Sequence, residues 1–230
     1  MKEILLNWFS PAVTEQLARY AQLLVEWNKK INLTAITEEK EIAVKHFYDC
    51  IYPARFLDLT PGLKVIDVGT GAGFPGLALK IAYPELQVTL LDSLQKRTIF
   101  LQTVIDELGL KGIEVIHGRA EEVARQKGQR EKYDLAVSRA VAALPVLLEY
   151  TAPFVKVGGR IAAWKGPNLL EEKESAHKAL VVLGADWLTQ YDYELPFAMG
   201  KRALGVMQKI SSTPGTYPRK AGTPEKRPIQ

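Results

Sequence analysis

Residues 65–76 read VIDVGTGAGFPG, an apolar run that ends in a burst of glycine. An apolar run of this length bounded by glycines reads as a buried strand, and the glycines let the backbone turn sharply and come close to a ligand. Working outward, further strand candidates fall at 87–91, 113–116, 133–137 and 159–164, after a first at 64–68, with helical stretches near 74–82, 94–108, 120–127, 143–155 and 168–183. In 94–108, Leu94, Leu101, Val104, Ile105 and Leu108 share a face, Ser93 stands where a cap belongs and Gly109 where the helix closes. The alternation predicts an α/β fold, a parallel sheet with helices on both faces. After the fifth helix, 187–195 and 203–210 read as consecutive strands joined by a loop with Pro196 and Gly200, a terminal β-hairpin that makes the sheet seven-stranded.

Upstream, Ser10-Pro11 reads as an N-cap followed by proline at the first helical position. Leu17, Tyr20, Ala21, Leu24, Trp27 and Ile31 then recur at helical spacing, a less regular helical stretch covers 38–57, and Pro61-Gly62 breaks the pattern. The expected organisation is an N-terminal helical extension over 1–60, the α/β domain over 61–210 and a basic tail over 211–230.

Which nucleotide the turn would hold is not decided by the turn. GAGFPG at 71–76 matches G-x-G-x-x-G, and Asp92 lies 21 residues beyond Gly71, the spacing of a dinucleotide fingerprint. GTGAG at 69–73, with Gly69, Gly71 and Gly73, equally matches the G-x-G-x-G of S-adenosylmethionine sites. In both, Asp92 at the end of the second strand, with Ser93 beside it, can accept the ribose hydroxyls. Three features favour the methyl donor. Asp67 puts a carboxylate just under the turn, which a cationic sulfonium tolerates and a pyrophosphate would not. HGRAEE at 117–122 sets Ala120 and Glu121 where they can meet an adenine edge. The terminal hairpin completes the plan of the class I S-adenosylmethionine-dependent methyltransferases, a Rossmann-like fold, rather than that of the dehydrogenases.

The chain has 230 residues, enough for one substantial core, and 47% of them are hydrophobic, the composition of an ordinary water-soluble protein. No run approaches the roughly 18 apolar residues of a membrane span, and the amphipathic start, MKEILLNWFSPAVTEQ, does not read as a signal peptide. A single cysteine, Cys50, excludes an internal disulfide and a cysteine-based zinc cluster. A cytoplasmic location is expected. The net charge of +4 is concentrated in the last twenty residues, where Arg219, Lys220, Lys226 and Arg227 face Glu225 alone. Such a tail either meets a polyanion or is simply solvated.

VIDVGTGAGFPGLALKIAYPELQVTLLDSLQKRTIFL, EWNKKINLTAI, KHFYDC, VSRAVAAL, WKGPN and YPRKAGTPEKRP together resemble the RsmG family, also called glucose-inhibited division protein B. The resemblance implies methyl transfer from S-adenosylmethionine, leaving S-adenosylhomocysteine, to guanine N7 in small-subunit (16S) ribosomal RNA, in a loop near the decoding site. The partner is then the RNA or the ribosomal subunit, with no membrane, and a monomer is expected. Carried over onto this sequence, the family pattern sets the donor against Gly69 and Phe74, Ala120 and Glu121, and Arg139. The rival readings are a nicotinamide-dependent oxidoreductase and a non-catalytic RNA-binding protein on the same fold.

The residue inventory suits transfer to N7, which carries a lone pair and no proton and so needs no general base. The fourth strand ends in LAVSRAVA rather than in the Asn/Asp-Pro-Pro-aromatic run that holds an exocyclic amine, and Cys50 lies far from the strand ends that thiolate enzymes use. Arg139, just beyond strand four, either touches donor or substrate or forms a surface ion pair. Lys165, in WKGPN, holds the equivalent place after strand five. His46 either borders the site or is bonded within its own helical segment. His117 and His177 have no metal-ligand company, and no metal is expected. Tyr217 either stacks on a base or anchors the tail.

Overall fold

Val65, Ile66, Asp67 and Val68 of β1 (Lys64–Val68) are all buried, because a parallel strand stands on each side of them and helices cover both faces. The computed structural model describes residues 1–229, so Gln230, the last residue of the expected tail, lies outside the described residues. The other strands are β2 (Gln87–Asp92), β3 (Ile113–His117), β4 (Tyr133–Arg139), β5 (Val155–Lys165), β6 (Ala185–Glu194) and β7 (Lys201–Lys209), in the order β3-β2-β1-β4-β5-β7-β6. The first five are parallel, and β7 enters antiparallel between β5 and β6. The seven strands and the terminal hairpin are as the sequence predicts. The antiparallel β7 departs from the all-parallel dinucleotide-binding order, so the formal G-x-G-x-x-G does not carry that fold.

Strand periodicity divides two cores. Val65, Leu90, Leu135, Val137 and Trp164 point to one face, and Ile66, Leu91, Ala136 and Ala163 to the other. The first face is roofed by the N-terminal helices, whose Leu17, Tyr20, Leu24, Ile42 and Phe47 share its core. The helix Pro11–Ile31 starts as expected, with Ser10 Oγ accepting from Val13 N at 3.4 Å. The stretch expected as one irregular helix over 38–57 is a series of short pieces: Glu39–Glu41, a π-helix Ile42–Tyr48, Asp49–Ile51 and a 3₁₀ turn Tyr52–Phe56 that contains Pro53. The helix Gln95–Glu107 corrects two expectations. Ser93 is not its cap, since the carboxylate of Asp92 takes Leu94 N instead, and Leu94 is exposed. Gly109 does close it, with Leu110 N on Ile105 O and Gly109 N on Asp106 O, a Schellman pair.

The tail packs on the second face. Arg130 donates to the carbonyls of Thr213 and Tyr217 at 2.8 and 2.9 Å, Tyr217 lies against the core and Ile229 is buried. Of the two readings of Tyr217, its role as an anchor is the one observed. Arg219 is not a free cation: it grips Glu149, a carboxylate buried in the apolar helix Leu144–Thr151, at 2.6 and 2.9 Å. Lys220, Lys226 and Arg227 remain exposed. No helix among the described residues is long and apolar enough to cross a membrane.

Candidate functional site

β1 ends at the C-terminal edge of the sheet and the chain turns through Gly69, Gly71 and Gly73, all with positive φ. Two of these glycines have distinct steric reasons. A Cβ on Gly69 would lie 2.7 Å from Val141 in the loop after β4. One on Gly73 would run into the Tyr20 hydroxyl and lie 2.9 Å from Leu77 Cβ. Gly73 therefore admits the N-terminal helix, whose Tyr20 hydroxyl donates to Ala72 O, rather than a ligand. Beneath the turn, Asp67 is fully buried, with Oδ2 accepting from Thr70 Oγ1 at 2.6 Å and Gly76 N at 2.7 Å, while Oδ1 has no hydrogen-bond partner among the described residues. Burial pushes its carboxyl up to about 7 in spite of those two donors. Asp92 receives Gly71 N at 2.8 Å on one oxygen and Leu94 N at 2.9 Å on the other, so it joins the turn to the start of the next helix. Arg97, on that helix, stands 3.5 Å from it.

Across the edge, Arg139 at the end of β4 reaches into the N-terminal segment. Nη1 donates to Lys45 O at 2.8 Å and to Asp49 Oδ2 at 3.1 Å, and Nη2 lies 3.1 Å from His46 Nδ1. A guanidinium only donates, so Nδ1 is the acceptor and the ring proton sits on Nε2, 3.0 Å from Thr34 Oγ1. Burial, with Arg139 next, pushes His46 down to about 3, which keeps the ring neutral. His46 is thus bonded across elements, not within its own helical segment. It stacks on Phe74 at 4.4 Å, and Tyr20 packs against that ring too, at 5.4 Å. Phe74, expected as an apolar wall for the donor, also backs His46. Asp49 binds Tyr193 Oη at 2.8 Å through its other oxygen, and its carbonyl takes Trp164 Nε1 at 3.0 Å.

Three cavities open along this edge. One of about 390 Å³ is bounded by Thr34, His46, Gly69, Gly71, Phe74, Asp92, Ser93, Arg97, Arg139 and Val141. A smaller one of about 120 Å³ shares Gly69, Asp92, Ser93 and Val141 with it and ends at Ala120, Glu121, Tyr150 and Glu225. The third, about 670 Å³, lies over β4 and β5 between Lys45, Asp49, Lys165, Glu172 and Arg202, and meets the first at His46, Arg139, Ala140 and Val141.

All the residues singled out as donor contacts, apart from Gly73, border the first two cavities. Lys165 borders the third, but its ammonium is engaged by Ala142 O at 2.6 Å and Glu172 at 2.7 Å, which fixes the loop after β4 to the helix Leu169–Ser175. Arg139, offered as a donor or substrate contact or a surface ion pair, makes a mostly buried pair that borders both large cavities. Burial pushes the Cys50 thiol up, in keeping with its inert reading. Residues that sequence reading left out are Thr34, Asp49 and Arg97, and, from the tail side, Tyr150 and Glu225. A signal did exist for Glu149, a lone acid in an apolar helix, which required a cation somewhere.

Residues 13–192 match the family model described as GidB, rRNA small subunit methyltransferase G. Over 219 residues the chain is 52% identical to Ribosomal RNA small subunit methyltransferase G of Alkaliphilus oremlandii, covering 95% of this chain and 92% of that protein. It is 50% identical to the protein of the same name from Geobacillus kaustophilus, with 94% and 90% covered. Among solved structures, M. jannaschii TYW2 in complex with AdoMet aligns with a TM-score of 0.54 at 14% identity, covering 88% of this chain and 78% of that one. TrmN from Thermus thermophilus aligns with a TM-score of 0.53 at 19% identity, over 69% and 47%. At such identities these two likenesses speak for the fold alone.

Proposed function

The chain belongs to the rRNA small subunit methyltransferase G family, and we propose that it transfers a methyl group from S-adenosylmethionine to guanine N7 of small-subunit ribosomal RNA. The observation that carries this reading is the meeting of two cavities at His46, Arg139, Ala140 and Val141, at the edge of the sheet where parallel strands deliver ligands.

The residues fit the donor. The two smaller cavities are continuous through Gly69, Asp92, Ser93 and Val141, so a nucleoside can run from the glycine turn to Ala120 and Glu121. Asp92 keeps acceptor capacity for ribose hydroxyls, since each of its oxygens takes one backbone N–H and has a second lone pair. Buried Asp67, with one oxygen unpartnered, supplies negative potential under the turn. When bound, S-adenosylmethionine supplies an electrophilic methyl group on a sulfonium.

The chain's own work is alignment. N7 offers a lone pair and loses no proton, so no side chain has to act as base. His46 agrees with that: its only unprotonated nitrogen is already occupied by Arg139. The third cavity takes the target guanine, with Lys45 and Arg202 as donors toward O6 and with Asp49 and Glu172 as the acidic groups on its wall. Arg139 and His46, held by Asp49 and Thr34, keep the passage between the two sites in one geometry, the condition for a near-attack arrangement.

The helical extension, 1–60, and the described part of the tail, 211–229, are walls of this site and not separable modules, a reading supported by Thr34 and His46 on one side and Glu225 on the other. The reading takes the protein to act as a monomer, and an rRNA substrate supports a cytoplasmic location. The test is methyl incorporation from labelled S-adenosylmethionine into unmethylated small-subunit rRNA, free and in subunits. The product is expected to be N7-methylguanosine, recognised by strand scission after reduction and aniline. Label on an exocyclic amine, or no label in RNA, overturns the reading.

A further inference from the structure

Phe197 stands in the turn between β6 and β7 with φ 58° and ψ 32°, and Ala198 follows at φ 52°. A bulky residue in the left-handed region is an outlier, and such strain persists where the surroundings impose it, often at ligand clamps. The ring so held is 55% exposed. Its aromatic contact is an edge-on approach of Trp8 at 6.3 Å, and Lys40 Nζ lies 4.0 Å from its centroid. Lys40 and Lys201 are exposed, and Arg202, in the same hairpin, lines the large cavity over β4 and β5 together with Lys45 and Ile36. The acids nearby are in part engaged, Glu39 by the N-terminal amine and Glu41 by Lys45. An exposed aromatic ring with one lysine over it and another beside it, neither in an ion pair among the described residues, in the hairpin whose Arg202 lines the cavity that would receive the guanine, is the arrangement by which proteins hold unstacked bases of single-stranded RNA.

We propose that Phe197 is a stacking platform for a base of the RNA strand next to the target guanine, with Lys40 and Lys201 meeting its phosphates. This rests on the rRNA reading above, and the two fail separately in the test. The RNA strand passes over the hairpin, one base lies on the Phe197 ring, and the guanine enters the cavity beyond Arg202. Stacking of this kind is sequence-tolerant, so the platform sets substrate affinity and not the identity of the methylated base.

Phe197→Ala, Phe197→Leu and Phe197→Tyr are assayed on unmethylated small-subunit rRNA or subunits, whichever the parental protein methylates. KM for the RNA is expected to rise roughly five- to hundredfold in the Ala and Leu variants, with kcat and donor Kd unchanged, and to stay near the parental value with Tyr. Phe197→Gly relieves the left-handed strain, so it should raise Tm while weakening RNA as much as Ala does. A photoreactive phenylalanine at 197 is expected to crosslink to rRNA close to the methylated guanine. Parental KM in the Leu variant, or a crosslink to a ribosomal protein in place of RNA, overturns the platform while methylation stands. No methyl transfer by the parental protein overturns the rRNA reading and the platform with it.

Discussion

Arg139 Nη1 lies 3.1 Å from Asp49 Oδ2, with 15% of the arginine side chain and 6% of the aspartate exposed. Asp49 is the point where the N-terminal segment meets the far half of the sheet. One carboxylate oxygen takes Arg139 from β4, the other takes Tyr193 from β6, and the backbone carbonyl takes Trp164 from β5. Such a pair is weak evidence of net stability, but breaking it strands a charge.

Asp49→Ala should therefore lower the unfolding free energy by about 3–5 kcal/mol, because Arg139 is left buried without its counter-charge. Asp49→Asn, which keeps hydrogen-bond acceptance, should cost less. Urea unfolding followed by circular dichroism measures both. An Ala variant within about 1 kcal/mol of the parent would mean that Arg139 is held by Lys45 O and His46 alone.

His46 gives the fold an acid-labile contact. Its folded pKa is about 3 against an ordinary 6.5, so between those values the unfolded chain binds the extra proton. Stability is fully present above about 6.5 and is lost as pH falls from there toward 3, at a slope of at most about 1.4 kcal/mol per pH unit. His46→Gln keeps an acceptor for Arg139 and cannot titrate. Its stability should fall less steeply than the parent's between about pH 6 and 4, and parallel curves would remove His46 from the acid response.

The parts of this architecture that were legible in the sequence are those written in local periodicity. The run from Val65 into the glycines, the spacing from Gly71 to Asp92, and the closing hairpin are all short-range patterns. The wall made by Thr34, His46 and Asp49 is of another kind. His46 lies on a π-helix, which leaves no 3.6-residue signature, and its role depends on Arg139, 93 positions away. EWNKKINLTAI and KHFYDC could be noticed as strings, but nothing in them says that Thr34 and His46 face the glycine turn. The tail was ambiguous for a related reason. A run of lysine and arginine reads as solvated charge until its partner is found, and Glu149 lies 70 residues from Arg219.

Asp67 sets a pH dependence of donor binding distinct from the chemistry. With its carboxyl near 7, it is partly protonated at neutral pH, and ionisation strengthens the potential felt by a cationic ligand above the turn. Donor affinity should rise a few-fold as pH increases through about 7, while the single-turnover rate at saturating donor stays flat between about pH 6 and 8. Calorimetry with the parent and Asp67→Asn isolates this effect, because the donor's own amine titrates equally with both. Superimposable affinity profiles would assign the dependence to the ligand.

The tail yields the sharpest departure from a reading of its charge. Taken as a free polycation, its four basic residues would each meet a phosphate and flatten the salt slope by roughly 3 on removal, with donor binding untouched. Arg219 is instead consumed by Glu149, whose side chain is 0% exposed, while Gly222 N donates to Glu121 at 2.9 Å and Glu225 lines the small cavity beside Ala120. Truncation after Ile210 should thus weaken the donor as well as RNA, and should cost stability on the order of 3 kcal/mol through the stranded Glu149 alone. Arg219→Leu should reproduce the stability loss, and adding Glu149→Leu should recover most of it, since an apolar pair replaces a buried ionic one at little cost. Charge reversal of Lys220, Lys226 and Arg227 leaves these contacts in place, so it should alter only RNA binding, with a log–log salt slope shallower by at most about 2 for three contacts. If the truncated protein binds S-adenosylmethionine as the full chain does, the tail is no wall of the donor site, and Glu121 keeps its position without Gly222.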